Sequence, residues 1–189
     1  MKVVGICASP RKQGNTDLLL DMALKGAKEA GALTEKFFLA DMDISPISEK
    51  EYEGIDPGGF SPVHDDMHAI YKAILGADAI VFASPIFFGS LSTQAKMMID
   101  RFQCVWISKF FHGREIYTRN IKGVFLSVEA TGREDFFDNA RSIVKHFFAT
   151  IKAEYCGEVL APGCDRKGSI LEKADLLEKA HRLGRELAA

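Results

Sequence analysis

The stretch Ser9-Pro-Arg-Lys-Gln-Gly-Asn-Thr16 lies between the first predicted strand and the first predicted helix of this chain. It follows an apolar, β-branched run at residues 3–8, which is short enough to be a buried strand. After it, apolar and small side chains recur at spacings of three and four from Leu19 to Ala30, which predicts a helix. The quoted residues therefore form a strand-to-helix turn at the carboxyl end of the first strand.

The chemistry of this turn favours an anion. Ser9, Asn15 and Thr16 supply side-chain donors, Gly14 lets the backbone approach a ligand, and Arg11 adds positive charge. The free N–H groups and the dipole of the helix start attract negative charge to the same place. In an open parallel sheet a ligand's phosphate lies at this point. The alternative is a plain helix cap with a solvated arginine. The spacing of the glycines in this turn matches neither the nucleotide-triphosphate loop nor the dinucleotide-binding fingerprint.

The composition sets limits on the kind of protein. A chain of 189 residues with 47% hydrophobic and 26% charged residues is typical of one globular domain, which we place at residues 1–189. The net charge of −2 and the lack of a basic block argue against a nucleic-acid partner. No stretch reaches the ~18 apolar residues of a membrane span. We therefore expect no membrane partner.

Two further features indicate the cellular compartment. The chain enters its first strand at once, which leaves no room for a secretory signal. Its four cysteines form no Cys-x-x-Cys pair, and Cys7 lies in the first predicted strand, which favours buried thiols in a reducing environment. We expect a cytoplasmic protein.

The rest of the chain alternates between strand and helix patterns. Five strands are predicted near residues 3–8, 34–39, 79–84, 124–128 and 155–160, with a helix after each. Pro85 is expected to end the third strand. The alternation predicts an α/β fold, a doubly wound five-stranded parallel sheet in the order 2-1-3-4-5 with helices on both faces.

Two segments lack a clear period. Residues 41–64 carry three prolines and several glycines, and a loop of this length is expected to be a lid or a subunit arm. The aromatic-rich residues 106–120 are expected to be a connection. Their aromatic side chains are core, the wall of an open site or a subunit contact.

The predicted strand order brings three loops together. They are residues 9–16, residues 85–90 and residues 127–132, which follow the first, third and fourth strands. The first is polar and basic, while the second is apolar and aromatic. A phosphate site beside an apolar slot suits a mononucleotide with a large flat ring.

Three motifs carry a resemblance to a known family. They are Ser9-Pro-Arg-Lys-Gln-Gly-Asn-Thr16, Ser84-Pro-Ile-Phe-Phe-Gly-Ser90 and Lys96-Met-Met-Ile-Asp-Arg101. Together they resemble the signatures of the NAD(P)H-dependent FMN reductases, and the iron–sulfur flavoproteins are the branch most similar to this chain. The resemblance implies a flavodoxin-like fold, non-covalently bound FMN, NADPH or NADH as electron donor, and a homodimer or higher homo-oligomer.

The resemblance also implies which residues contact FMN. One set holds the phosphate: Ser9, Arg11, Gly14, Asn15 and Thr16. A second set lies along the ribityl chain and the isoalloxazine ring: Pro85, Ile86, Phe87, Phe88, Gly89 and Ser90. A third set meets the pyrimidine edge: Ser127, Glu129, Thr131 and Gly132.

This chain departs from its relatives in two places. Residues 44–53, where the iron–sulfur branch has its cysteine cluster, contain no cysteine. We therefore predict no iron–sulfur cluster, because the required thiolates are missing. Where relatives often have paired glycines after the fourth strand, this chain has Glu129 and Ala130. A Glu129 carboxylate near the ring would lower the flavin's reduction potential; a solvated loop glutamate is the alternative.

The expected function is that of a flavoprotein oxidoreductase. Hydride passes from NAD(P)H to bound FMN, and the electrons pass on to a flavin, a quinone or a similar small-molecule acceptor. This chemistry needs little acid–base help, so no catalytic side chain is predicted, and the spacing of His64 and His68 alone does not predict a metal. The alternatives are a flavodoxin-type electron carrier between proteins and a flavin-free binding module.

Overall fold

The computed structural model describes residues 1–56 and 58–189. Six strands lie in this part of the chain: β1 (Lys2–Cys7), β2 (Leu33–Phe38), β3 (Ala79–Phe87), β4 (Ser90–Leu91), β5 (Ile121–Val128) and β6 (Ala153–Ala161). Seven α-helices accompany them: α1 (Asn15–Glu29), α2 (Lys50–Glu53), α3 (Met67–Leu75), α4 (Thr93–Arg101), α5 (Gln103–His112), α6 (Phe137–Thr150) and α7 (Ala174–Leu187). Short 3₁₀ turns occur at Leu39–Asp41, Glu134–Phe136 and Ser169–Glu172.

The strands form one sheet in the order β2-β1-β3-β5-β6, and all neighbours along this path are parallel. The two-residue β4 pairs with β3 in the antiparallel direction. The α/β class and the parallel sheet are therefore confirmed, but the predicted five-strand sheet in the order 2-1-3-4-5 is wrong, because β4 is an additional strand.

The additional strand exists because β3 continues past Pro85. Pairing with β1 ends at Ala83, so Pro85 lies opposite only one strand, where it pairs with Val128 of β5. A proline is tolerated there because its missing N–H breaks no second ladder. Beyond it, Phe88 and Gly89 have φ angles of 51° and 70°, which turn the chain back into β4.

Helices cover both faces of the sheet, as predicted. Alternate residues of the central strands point to opposite sides, with Ile80 and Phe82 in one apolar cluster and Val81 and Ala83 in the other. The first cluster is covered by α3 to α6, and the second by α1 and α7. Each fully buried side chain such as Phe82 contributes about 1.5–3 kcal/mol.

Two glycines set the position of α1, the helix that opens at the quoted turn. A Cβ on Gly184 of α7 would lie 1.8 Å from the carbonyl oxygen of Ala23, and one on Gly26 would lie 2.0 Å from that of His181. The two helices thus touch backbone to backbone. Any larger residue at either place would push α1, and with it the turn at its start, away from the sheet.

Residues 106–120 do not form the predicted connection throughout. The first part belongs to α5, which ends at Gly113 with a φ of 64°. Trp106, Phe110 and Phe111 are exposed on this helix, while Cys104 and Ile107 are buried. Apolar residues on both faces hide the helical period, which explains why the sequence pattern missed the helix.

The long segment at residues 41–64 is anchored by a buried arginine. The Arg101 side chain is fully buried, and its Nη1 donates to Asp65 at 2.5 Å and to the Ser45 carbonyl at 2.8 Å. Its Nε lies 2.6 Å from Glu51 Oε1, which makes an ion pair without hydrogen-bond geometry. Phe60 stacks on Tyr71 with the ring centroids 4.8 Å apart. A role as lid or subunit arm stays a prediction.

None of the helices in the described part of the chain is both long enough and apolar enough to cross a membrane.

Candidate functional site

A cavity opens at the carboxyl edge of the sheet, where the ends of β1, β3, β5 and β6 lie together. Its lining comes from four loops: Ser9, Pro10, Arg11, Gly14, Asn15, Thr16, Pro85, Ile86, Phe87, Val128, Ala130, Cys164, Asp165 and Lys167. Its volume of about 100 Å³ is small for a whole cofactor, since such pockets measure ~300–1,000 Å³. It therefore has room for only one end of such a ligand.

Hydrogen bonds within the first loop fix its shape. Ser9 Oγ accepts from the Arg11 N–H at 3.1 Å, and the Gly14 N–H donates to the Arg11 carbonyl at 3.1 Å. The Gln13 N–H donates to Asp17 Oδ2 at 2.7 Å. A Cβ on Gly14 would lie 2.9 Å from the Arg11 carbonyl oxygen, so the turn requires glycine at this position.

The start of α1 and two side chains supply the anion-binding groups. The N–H groups of Asn15 and Thr16 have no acceptor within the helix, because they belong to its first turn. Thr16 is almost completely buried, and its side chain borders the cavity. Arg11 also borders it, and no ion pair to Arg11 is found among residues 1–56 and 58–189. In contrast, Lys12 pairs with Asp41 at 2.6 Å.

The side chain of Asn15 does not point its amide into the cavity as expected. Its Nδ2 donates to the carbonyls of Cys164 and Arg166, each at 3.0 Å, and to Ser169 Oγ at 3.2 Å. Its Oδ1 accepts from the Ile170 N–H at 3.2 Å. The side chain therefore joins α1 to the loop after β6, and only its backbone N–H remains for a ligand.

The turn between β3 and β4 presents aromatic rings beside the cavity. Phe87 is 45% exposed and Phe88 is fully exposed, while Pro85 and Ile86 form the adjoining wall. Gly89 is held in place because its carbonyl accepts from Asn139 Nδ2 at 3.1 Å. Ser90, which pairs with Phe87, closes the turn. Of the predicted second set, Pro85, Ile86 and Phe87 thus line the cavity next to the anion-binding turn, while Phe88, Gly89 and Ser90 form the turn beyond it.

The third predicted set is placed differently from the expectation. Ser127 is fully buried, and its hydroxyl donates to the Ser84 carbonyl at 2.8 Å within the sheet. From this loop, Val128 and Ala130 line the cavity instead.

Glu129 organises its own loop. Its carboxylate accepts from the N–H groups of Gly132 at 2.7 Å and Arg133 at 2.9 Å, and from both the N–H and the hydroxyl of Thr131. Burial raises the pKa of this carboxyl, but these hydrogen bonds outweigh burial, and the net result is a lowered pKa. Glu129, Thr131 and Gly132 are thus bound to one another, and an effect of the carboxylate on a flavin stays a prediction.

The loop after β6 was missed by sequence reasoning. Cys164, Asp165 and Lys167 line the cavity from this side. The predicted order places the last strand at the edge of the sheet, and only the loops after the first, third and fourth strands are predicted to meet. The available signal was that all parallel strands end at the same edge, so that a loop of eight or so residues can reach back across it.

Metal-ligand clusters are not found in the described part of the chain: no group of three or more His, Cys, Asp and Glu side chains is arranged to hold an ion. The rings of His64 and His68 stack at 5.2 Å. All four cysteines are free. Burial raises the pKa of Cys7 to about 12 and that of Cys104 to about 11, so these thiols are protonated and unreactive.

The residues at this edge fit the phosphate end of a mononucleotide. Free N–H groups, a buried threonine and an unpaired arginine converge on a small cavity. A phosphomonoester carries a charge of about −2 at neutral pH and accepts several hydrogen bonds. The half-exposed ring of Phe87, which borders the cavity, suits a planar group.

Comparisons with known proteins agree with this geometry. An iron–sulfur flavoprotein of Methanocaldococcus jannaschii is 41% identical over 106 residues, which cover 53% of this chain and 51% of that protein. YwqN of Bacillus subtilis, whose name describes an NAD(P)H-dependent FMN-containing oxidoreductase, is 29% identical over 97% of this chain and 96% of its own length. This chain thus spans about half the length of the first relative and nearly all of the second.

The fold and the family follow from two further matches. An archaeal flavodoxin superposes with a TM-score of 0.60 at 13% identity, covering 100% of this chain and 96% of the flavodoxin, which shows a shared flavodoxin-like fold. The family model described as NADPH-dependent FMN reductase matches residues 1–149. Because that match covers well over half of the chain, this protein belongs to the NADPH-dependent FMN reductase family.

Proposed function

We propose that this protein is an FMN-dependent oxidoreductase that takes hydride from NADH or NADPH and passes the electrons to a small-molecule acceptor. The observation that carries the proposal is the cavity at the end of β1, where Arg11, Thr16 and the first N–H groups of α1 lie beside the half-exposed ring of Phe87. The match to the FMN reductase family supports the choice of cofactor.

The roles of the residues follow from their chemistry. Arg11, Thr16 and the N–H groups of α1 would hold the phosphate, and Gly14 would let it approach the backbone. Phe87 and Phe88 would support the planar ring system and keep water from one face of it. Bound FMN supplies the redox chemistry, accepting hydride and releasing electrons to an acceptor. No side chain needs to act as a general acid or base.

We also propose that the protein carries no iron–sulfur cluster, unlike what the name of the iron–sulfur flavoproteins similar to it in sequence states for them. In residues 44–53, which contain no cysteine, Glu51 is held by the buried Arg101. Iron analysis of anaerobically purified protein tests this, and stoichiometric iron with acid-labile sulfide would refute it.

The acceptor and the assembly are proposals of the same kind. The exposed turn at Phe88 favours a flat organic acceptor such as a flavin or a quinone, which can stack where a nicotinamide stacks.

A homodimer or higher homo-oligomer is supported by the exposed aromatic side chains of α5, Trp106, Phe110 and Phe111. Light scattering coupled to size-exclusion chromatography measures the assembly directly.

The test of the proposed function is the absorption spectrum of the protein reconstituted with FMN, before and after anaerobic addition of NADPH or NADH. Rapid bleaching of the bound flavin is the expected result. A flavin that stays oxidised with both donors, yet is reduced by dithionite, would indicate an electron carrier instead. Protein that does not take up FMN at all would refute both and leave a flavin-free module.

A further inference from the structure

The loop after β6, residues 162–169, forms one side of the cavity at the end of β1. Its chain leaves β6 at Ala161, and Gly163 and Gly168 have φ angles of 68° and 84°. These left-handed positions turn the chain twice within a few residues. As a result, Cys164, Asp165 and Lys167 border the same cavity as the anion-binding turn.

Lys167 differs from the other basic residues near this loop. Arg166 forms an ion pair with Glu172, and Lys173 Nζ donates to the Pro162 carbonyl at 2.6 Å. For Lys167, which is exposed and lines the cavity, no ion pair is found in the described ranges. Arg11 and Lys167 thus bring two positive charges to one small cavity, which Asp165 also borders.

Asn15 holds this loop against α1. The side chain is 7% exposed and makes four hydrogen bonds to the loop and to the turn that follows it. Three are donated to Cys164, Arg166 and Ser169, and one is accepted from Ile170. The two bonded carbonyls belong to Cys164 and Arg166, the residues before and after Asp165. Lys167 follows Arg166 in the chain. The Asn15 amide therefore fixes the residues on either side of Asp165, directly before Lys167.

We propose that the loop after β6 is part of the cofactor site, with Lys167 as a second phosphate-binding cation and Asn15 as the residue that positions it. This rests on the proposed function, in which the bound ligand is FMN. A phosphomonoester of charge about −2 is matched by Arg11 and Lys167 together. Asp165 also borders the cavity and opposes the phosphate, so the two neighbours Asp165 and Lys167 have opposite effects.

The experiment compares FMN with riboflavin, which has the same ring system and no phosphate. Dissociation constants for both are measured by quenching of flavin fluorescence, with the wild type, K167A, D165N and the control K28A. Lys28 is an exposed lysine at the other end of α1. K167A is expected to weaken FMN binding by about 3- to 10-fold and D165N to tighten it by about 2- to 5-fold. Riboflavin binding stays unchanged in both, and K28A changes neither.

A double-mutant cycle tests the role of Asn15. N15A is expected to weaken FMN binding, and K167A is expected to cost little more in the N15A background, because the lysine is then no longer held over the cavity. A merely structural asparagine would weaken FMN and riboflavin alike and leave the effect of K167A intact. Circular dichroism confirms that N15A is folded before binding is measured.

The outcomes separate this inference from the proposed function. If the wild type binds FMN but K167A and D165N bind it equally well, the loop is not part of the phosphate site, while the proposed function stands. Loss of riboflavin affinity in K167A equal to its loss of FMN affinity would also overturn the inference. A wild type that binds neither flavin refutes the proposed function itself.

Discussion

Replacing Arg101 by methionine tests the arrangement that anchors residues 41–64. Methionine keeps an unbranched side chain of similar reach but removes the charge. In the wild type the Arg101 and Glu51 side chains are fully buried, and the Asp65 side chain is 5% exposed. R101M would therefore leave two buried carboxylates without a cation. The Ser45 carbonyl and Ser61 Oγ, which accept from Arg101, would lose this donor as well.

The expected cost is large because burial prevents water from replacing the lost partner. Removing one member of a buried ion pair costs about 3–5 kcal/mol of unfolding free energy. For a chain of this size, that corresponds to a fall in Tm of roughly 6–20 °C. The matched control is R119M, because Arg119 is 58% exposed and pairs with Asp78 at 3.3 Å on the surface. Such a pair contributes about 0–1 kcal/mol.

The assay is urea denaturation followed by circular dichroism at several pH values. Burial raises the pKa of Asp65, but hydrogen bonds from Arg101 and from the N–H groups of Ser45 and Met67 outweigh it and lower the pKa overall. This stabilisation is complete above the unfolded pKa of about 3.9 and is lost as pH falls through the lower folded pKa. The difference between wild type and R101M should therefore narrow below about pH 4.

Two results would refute the reasoning. The first is a loss in R101M no greater than that in R119M at pH 7. The second concerns the variant R101M/E51Q/D65N, whose neutral side chains remove the unpaired charges and should recover part of the lost stability. No recovery would mean that the carboxylates are not the source of the cost.

Four further predictions follow from the site and the packing around it. R11A/T16A should raise the Kd for FMN by at least tenfold while riboflavin binding changes little; equal Kd values for wild type and variant would place the phosphate elsewhere. G184A should cost about 1–3 kcal/mol in denaturant unfolding, since its Cβ meets the Ala23 carbonyl at 1.8 Å. G54A, with open space around its Cβ, is the control and should be nearly neutral. E129Q should cost about 1–3 kcal/mol at pH 7, because the amide brings N–H groups against the loop's N–H donors; the cost should shrink below the unfolded pKa of about 4.3, as the lowered pKa of Glu129 requires. F88N should stabilise the free protein by about 1 kcal/mol, because asparagine tolerates a φ of 51° better than phenylalanine does; an unchanged Tm would show that the turn stores no strain.

Much of the fold was predictable because buried parallel strands leave strong signals. The run at β3 is fully buried from Ala79 to Ile86, and such runs stand out in sequence. What failed were features decided by a few residues in context. A proline usually ends a strand. Pro85 does not, because it lies opposite a single neighbouring strand. Whether a proline faces one strand or two depends on the lengths of the neighbouring strands, which local sequence does not encode.

The candidate site was likewise predictable only in part. Residue types predicted which loops meet, but they did not predict what each polar side chain binds. Ser127 and Asn15 carry groups that suit a ligand. Both residues are buried, and their side chains donate to protein carbonyls. A buried polar group is nearly always hydrogen-bonded, and backbone carbonyls outnumber ligands as acceptors. Sequence reasoning therefore overestimates the number of side chains that touch a ligand.

The polar side chains that bind the protein and not the ligand still have a role at an anion site. The groups left for the phosphate are mainly backbone N–H groups of α1, whose positions are set by the backbone and not by a side-chain rotamer. Those N–H groups can hold a ligand firmly only if the turn itself is rigid. Gln13 donating to Asp17, Asn15 binding the loop after β6 and Glu129 closing the loop after β5 each remove freedom from the surrounding chain. The polar residues that do not reach the ligand thus preorganise the groups that do, and their loss should weaken FMN binding although they make no contact to FMN themselves.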